Sequence, residues 1–152
     1  MTRILLAIDD SDFSRAATES IANLMRPDNA LVHVMHVIEF DQLVPPPIDF
    51  ARGPDYGPDV TLHMEIARQA AEILVGTAER RLRAAHFETA CLIREGEPRH
   101  GILNYAAEWN PDWIVMGSHG RRGFDRFLMG SVSEAVARHA RCSVQIVRLR
   151  DR

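Results

Sequence analysis

The sequence predicts an α/β fold: an open five-stranded parallel sheet with helices on both faces. Two observations carry that prediction. Apolar runs alternate with stretches of helical period along the whole chain, which implies right-handed crossovers and a single parallel sheet. The runs themselves are almost unbroken, as in strands covered on both faces, and do not alternate with polar residues as strands with one wet face do.

The elements follow in order. "RILLAID" (3–9) is the first strand and ends in Asp9. Phe13, Ala17, Ile21 and Leu24 then recur at helical spacing, with Ser11 or Asp12 available as the N-cap. "LVHVMHVI" (31–38) is a second strand. An irregular loop at about 39–58 follows, because "VPPPI" and "GPDYGP" deny it regular structure. From Asp59, a plausible cap, Leu62, Ile66, Ala70, Ile73 and Thr77 mark one face of a long helix reaching about His86, with Gly76 as a weak point inside it. "TACLIRE" (89–95) is the third strand, and Pro98 suits the first turn of a helix over 98–109. "DWIVM" (112–116), a short helix over 131–139 and "SVQIVRL" (143–149) complete the series.

Composition narrows the function. The 152 residues are 46% hydrophobic, enough for one domain over 1–152, with no internal repeat and no dividing linker. A formal charge of −3 gives no broad cationic field for nucleic acid. The N-terminus turns acidic after five apolar residues, too soon for a signal peptide or membrane helix, so a cytoplasmic protein is expected. Cys91 and Cys142 lie in apolar runs without metal-ligand spacing and read as buried reduced thiols. All 18 basic side chains are arginine, which removes P-loop, kinase and Schiff-base lysines together.

In open parallel sheets ligands bind beyond the carboxyl ends of strands, where the winding reverses. Two features occupy such ends: Asp9, and the loop "GSHGRRGFDRFLMGS" from Gly117 to Ser131. Gly117 and Gly120 remove Cβ atoms where a polyanion could lie against amides, and Gly130 lets the chain turn into the last helix. Ser131 and Glu134 have the S-x-x-E spacing of a capping box, which would set a helix start with its positive end toward the loop. Such an arrangement is a phosphate seat.

The pattern of glycine, two residues, glycine, nine residues and Gly-Ser resembles the ATP-binding branch of the universal stress protein family. The likeness extends to "ILLAIDDS", "VMHVIE", "REGEP", "LMGSVSEAV" and "CSVQIVR", nearly the whole chain. It implies a Rossmann-like sheet of strand order 3-2-1-4-5. It implies that Asp9 lies at the adenine and ribose end of the pocket, and that Val37 contacts adenine through its backbone. Gly117, Gly120, Gly130 and Ser131 would then approach ribose and phosphates, with Ser133 a weaker candidate for a phosphate or a metal-linked water. Mg²⁺ would be held mainly by ATP phosphates and water, since it keeps waters and needs few protein ligands. The resemblance further implies a homodimer through the C-terminal strand 143–149, whose exposed edge calls for pairing.

Each of these residues also has a duller explanation. Asp9 could simply cap the first helix. Arg121, Arg122 and Arg126 could clamp phosphates or stand as solvated charges. His119 has no assignable acidic or nucleophilic partner and is not read as a catalytic base. His33 and His36, three apart on a strand, point to opposite faces and cannot share a metal. Trp109 and Trp113 read as packing residues. The functional reading is an ATP-binding, nucleotide-dependent regulatory module of the stress response, which reports ATP or another adenine nucleotide to an unknown protein partner. Alternatives are a slow ATPase or phosphotransferase, or an ATP-independent dimeric adaptor. A pyrophosphatase-type adenylating enzyme would need a glycine-rich loop where this chain has "DDSDFS".

Overall fold

The computed structural model describes residues 1–24, 28–39, 60–120 and 129–149. The described residues form β1 (Thr2–Ala7), α1 (Asp12–Leu24), β2 (Ala30–Ile38), α2 (Val60–Ala84), β3 (Glu88–Glu95), α3 (Pro98–Trp109), β4 (Trp113–Gly117), α4 (Ser131–His139) and β5 (Ser143–Val147). The strands lie in the order β3-β2-β1-β4-β5, and every pair is parallel. This is the order that the family resemblance implies. The loop expected at 39–58 lies outside the described residues except for Glu39.

The central strands are buried on both faces, which is why they read as continuous apolar runs. Leu5 and Leu6 are neighbours on opposite faces, and both are fully buried. On one side Ile4, Leu6, Val32, Val34 and Val115 pack with Ala17 and Ile21 of α1 and Val75, Ala78 and Leu82 of α2. On the other side Leu5, Ala7, Met35, Val37, Ile114 and Met116 pack with Ile102 of α3 and Val136 of α4. The winding reverses between β1 and β4, whose register pairs Ala7 with Met116, so the strand ends that open the switch point are Ala7 and Gly117.

The helix ends follow local chemistry. Ser11 caps α1, its Oγ accepting from the Ser14 N–H at 3.2 Å. Glu97 caps α3 by accepting from the His100 N–H at 3.0 Å, with Pro98 in the first turn. The other end of α3 closes on Asn110 in the left-handed region at φ 53°.

The structure corrects several sequence expectations. The stripe Leu62, Ile66, Ala70, Ile73, Thr77 does not face the sheet: Ile66 and Ile73 are 56% and 69% exposed. The buried stripe is Ala71, Val75, Ala78 and Leu82, whose small members let α2 lie close on the sheet. Gly76 does not break the helix, and a Cβ there would meet only the end of the Arg80 side chain at 3.7 Å. Cys91 is an exposed residue on the edge strand β3, although its Sγ turns inward to the Val75 carbonyl at 3.8 Å, and Cys142 is half-buried. Trp113 is 39% exposed, whereas Trp109 packs as expected.

His33 and His36 do face opposite sides of the sheet. His33 stacks on Trp109 with centroids 3.7 Å apart, and its Nδ1 meets the Tyr105 hydroxyl at 2.7 Å. His36 instead places Nδ1 2.8 Å from the Ile8 carbonyl oxygen and lines a cleft at the strand ends.

Candidate functional site

The carboxyl ends of β1, β2 and β4 and the N-termini of α3 and α4 enclose a cleft of about 260 Å³. Met35, Val37, Ile102 and Met116 form its apolar wall, while Asp9, Ser14, His36, His119 and Ser131 bring polar groups to it. The folded chain thus brings Asp9, Val37, Gly117, Gly120, Gly130, Ser131 and Ser133, all singled out from the sequence, to one concavity. Arg121, Arg122 and Arg126 lie outside the described residues. A larger hollow of about 1030 Å³ between α1 and α2 is lined by alanines and by Ile66 and Ile73, but it contains none of the loop glycines.

Asp9 stands two residues beyond β1 and is held in place. Its Oδ1 accepts from the Ser11 hydroxyl at 2.5 Å and from the Ser14 hydroxyl at 2.6 Å, while Ser14 Oγ accepts from the Asp9 N–H at 2.9 Å. The other oxygen, Oδ2, faces the glycine loop: a Cβ on Gly120 would stand 2.6 Å from it. Two hydroxyls therefore fix the carboxylate rotamer, and a missing side chain makes room for it. Ser11 and Ser14 were not marked as site residues from sequence. Their signal was available in "DDSDFS", where serines follow Asp9 at two and five residues and α1 begins between them.

The three motif glycines do different work. A Cβ on Gly117 would stand 2.6 Å from Phe13 Cβ and 2.8 Å from its carbonyl carbon, so this glycine admits the first turn of α1. Gly120 admits Asp9. Gly130 admits the end of β4, since a Cβ there would stand 3.1 Å from the Ser118 carbonyl oxygen and 3.3 Å from His119 Cα. The same carbonyl accepts from the Gly130 N–H at 2.8 Å and from the Ser133 hydroxyl at 2.9 Å, which pins the start of α4 against the end of β4.

Residues 1–148 match the model of the Universal stress protein family. The chain belongs to that family. Universal stress protein YxiE of Bacillus subtilis is 29% identical over 147 residues, covering 96% of this chain and 98% of the relative. The universal stress protein UspA structure from Lactobacillus plantarum superposes with a TM-score of 0.78 at 23% identity, over 97% of each chain. A universal stress protein in complex with cAMP covers 96% of both chains at 23% identity and a TM-score of 0.66. An Arabidopsis thaliana family member with AMP bound covers 99% of this chain and 93% of its own at 16% identity and a TM-score of 0.68. At these identities the structural likenesses speak for the universal stress protein fold.

Two features of the family motif are built differently here from the sequence expectation. Ser131 is the first helical residue of α4 and not its cap; Gly130 occupies the N-cap, and no side chain among the described residues caps the helix. Glu134 does not reach back to complete a capping box, because its carboxylate pairs with Arg138 at 2.9 Å, one turn along. A glycine cap has no side chain to accept from the first N–H groups of α4, and the helix dipole favours negative charge at that end, whose residues line the cleft. Ser133 lines the cleft but is 2% exposed, and its hydroxyl donates to the Gly130 carbonyl at 2.8 Å as well as to Ser118. Its proton is thus committed to holding the helix start.

Proposed function

We propose that this universal stress protein binds an adenine nucleotide in the cleft between β1 and β4, and that occupancy is its signal to a protein partner. The observation that carries the reading is the uncapped start of α4, which faces the same concavity as a fixed carboxylate and an apolar wall. Each part suits one part of a nucleotide. The wall formed by Met35, Val37 and Ile102 suits a base, the Val37 backbone being its polar contact. Asp9 accepts hydrogen bonds and suits ribose hydroxyls. Gly120, Gly130 and Ser131 border the donors that suit phosphate oxygens. The AMP and cAMP bound to two structural neighbours support an adenine ligand.

ATP with Mg²⁺ is the preferred ligand in this reading. Mg²⁺ keeps its waters and needs few protein ligands, so ATP phosphates and water would supply most of its shell. Hydrolysis is slow or absent, and the module acts by binding. The free thiols Cys91 and Cys142 accord with a reducing cytoplasmic setting. A homodimer through the C-terminal strand is part of the same reading: β5 is an edge of the sheet, and exposed Trp113 pairs in register with its first residue, Ser143.

Calorimetry with ATP, ADP and AMP, run beside a phosphate-release assay and sedimentation, tests the reading. Micromolar binding, little release and a dimer are expected. Rapid multiple turnover would overturn the regulatory reading in favour of an ATPase, and a lack of binding by all three nucleotides would remove the ligand.

A further inference from the structure

We propose that His119 donates a hydrogen bond from Nε2 to a phosphoryl oxygen of the ligand, and that Ser118 fixes the imidazole tautomer that makes this possible. The inference rests on the nucleotide reading of the cleft. It adds an imidazole donor to the phosphate contacts of that reading.

His119 is buried, 9% exposed, and lines the cleft beside Gly120 and Gly130. Its Nε2 is a buried nitrogen without a hydrogen-bond partner among the described residues. Buried polar atoms are nearly always paired, so an orphan in a residue that lines a cleft calls for an explanation. The ring is not loose: the Phe13 ring of α1 lies against it at a centroid distance of 5.0 Å, tilted by 44°.

The partner of the other ring nitrogen decides what the orphan can do. Nδ1 lies 3.1 Å from Ser118 Oγ, and Ser118 is 1% exposed. If Nδ1 carried the proton, it would donate to Ser118 Oγ. The serine proton would then have no acceptor among the described residues, and Nε2 would be a bare lone pair. Two polar groups would be left unsatisfied. With the proton on Nε2, the Ser118 hydroxyl donates to Nδ1 and only one group is left, an N–H in need of an acceptor.

His119, which carries the orphan N–H, therefore lines the same cleft as the N-terminus of α4. One is a side-chain donor without an acceptor among the described residues and the other is the positive end of a helix, and they come from different parts of the chain. A tetrahedral phosphoryl group, with several acceptor oxygens and negative charge, complements them together; a ribose hydroxyl, itself a donor, complements them less well. The geometry assigns His119 to the phosphate of a nucleotide and predicts that its contribution is absent for the nucleoside.

The test compares AMP with adenosine by calorimetry on the full chain and on His119→Phe and His119→Gln. Loss of a hydrogen bond to a charged group should weaken AMP by about tenfold or more in His119→Phe, with adenosine unchanged to within about twofold. Glutamine, which keeps an N–H donor, should recover part of the loss. AMP affinity in His119→Phe equal to that of the unaltered protein would overturn the proposal while leaving the cleft reading intact. If the unaltered protein bound neither AMP nor adenosine, the cleft reading itself would fall and the proposal with it. Long-range ¹H–¹⁵N spectra of the His119 ring in the unaltered protein decide the matter should a variant misfold. The proton is expected on Nε2, with its resonance shifted by AMP and not by adenosine; a proton on Nδ1 would refute the assignment.

Discussion

Replacing Gly117 with alanine is expected to destabilise the fold itself, and the structure sets the scale. The added Cβ would stand 2.6 Å from Phe13 Cβ, 2.8 Å from Phe13 C and 3.1 Å from Phe13 O. Carbon atoms pack best at about 3.5–4.0 Å, so the overlap approaches 1 Å. None of these atoms can rotate away, because two are backbone and the third is fixed to it. Relief requires α1 to retreat from the sheet, yet Ala17 and Ile21 of the same helix are fully buried in the core. Overpacking costs about 1–3 kcal/mol, and a clash with immovable backbone belongs at the upper end, about 3 kcal/mol. With a urea slope of about 2 kcal/mol/M, the unfolding midpoint should fall by roughly 1.5 M. Phe13→Ala should not rescue the variant, since it retains the Cβ that clashes. Gly130→Ala, whose nearest contact is 3.1 Å from a carbonyl oxygen, should cost less. A midpoint for Gly117→Ala within about 0.3 M of the parent would refute the packing argument. The corollary concerns function: a bulkier residue at 117 is a poor probe of ligand binding, because loss of binding would follow from loss of the fold.

Two further outcomes are expected. Ser14→Ala removes the hydroxyl that donates to Asp9 Oδ1 and accepts from the Asp9 N–H, so it should cost about 1–2 kcal/mol of stability and weaken adenosine binding as the carboxylate rotamer relaxes; unchanged affinity measured by calorimetry would show that Asp9 needs no second support. Burial lowers the pKa of His33 from its ordinary 6.5, so the folded state favours the neutral ring. The unfolded chain then binds more protons between the lowered value and 6.5: stability is fully present above that window and is lost as pH falls through it. Urea midpoints across that range should drop on acidification in the parent and drop less in His33→Phe, which keeps a ring against Trp109; equal pH dependence in both would count against His33 as the source.

Much of the fold was legible because its cause is local. Uniform apolar runs such as "RILLAID" reflect burial on both faces, Ser11 marks a helix start through its side-chain hydroxyl, and Pro98 does so through its fixed backbone. The site was legible as a set of residues for a related reason: Asp9 and the 117–131 loop sit at strand ends, and the topology of a parallel sheet gathers those ends. The role of each residue was less accessible. Gly117 reads as room for a ligand but provides room for Phe13, and Ser131 reads as a cap but begins the helix with Gly130 as its cap.

The amino-acid order alone determined the sequence of elements, the parallel sheet, and the loop where chemistry concentrates, since periodicity and turn residues act over a few positions. Only the tertiary structure decided which of two apolar stripes on α2 meets the sheet, that Ser11 and Ser14 clamp Asp9, and that His119 ends with a ring nitrogen unpaired among the described residues. The first of these outcomes depends on contacts between residues far apart in the chain. Period fixes the spacing of a helical face but not its phase against a neighbour, and a missing Cβ has meaning only once the atom that would meet it is in place.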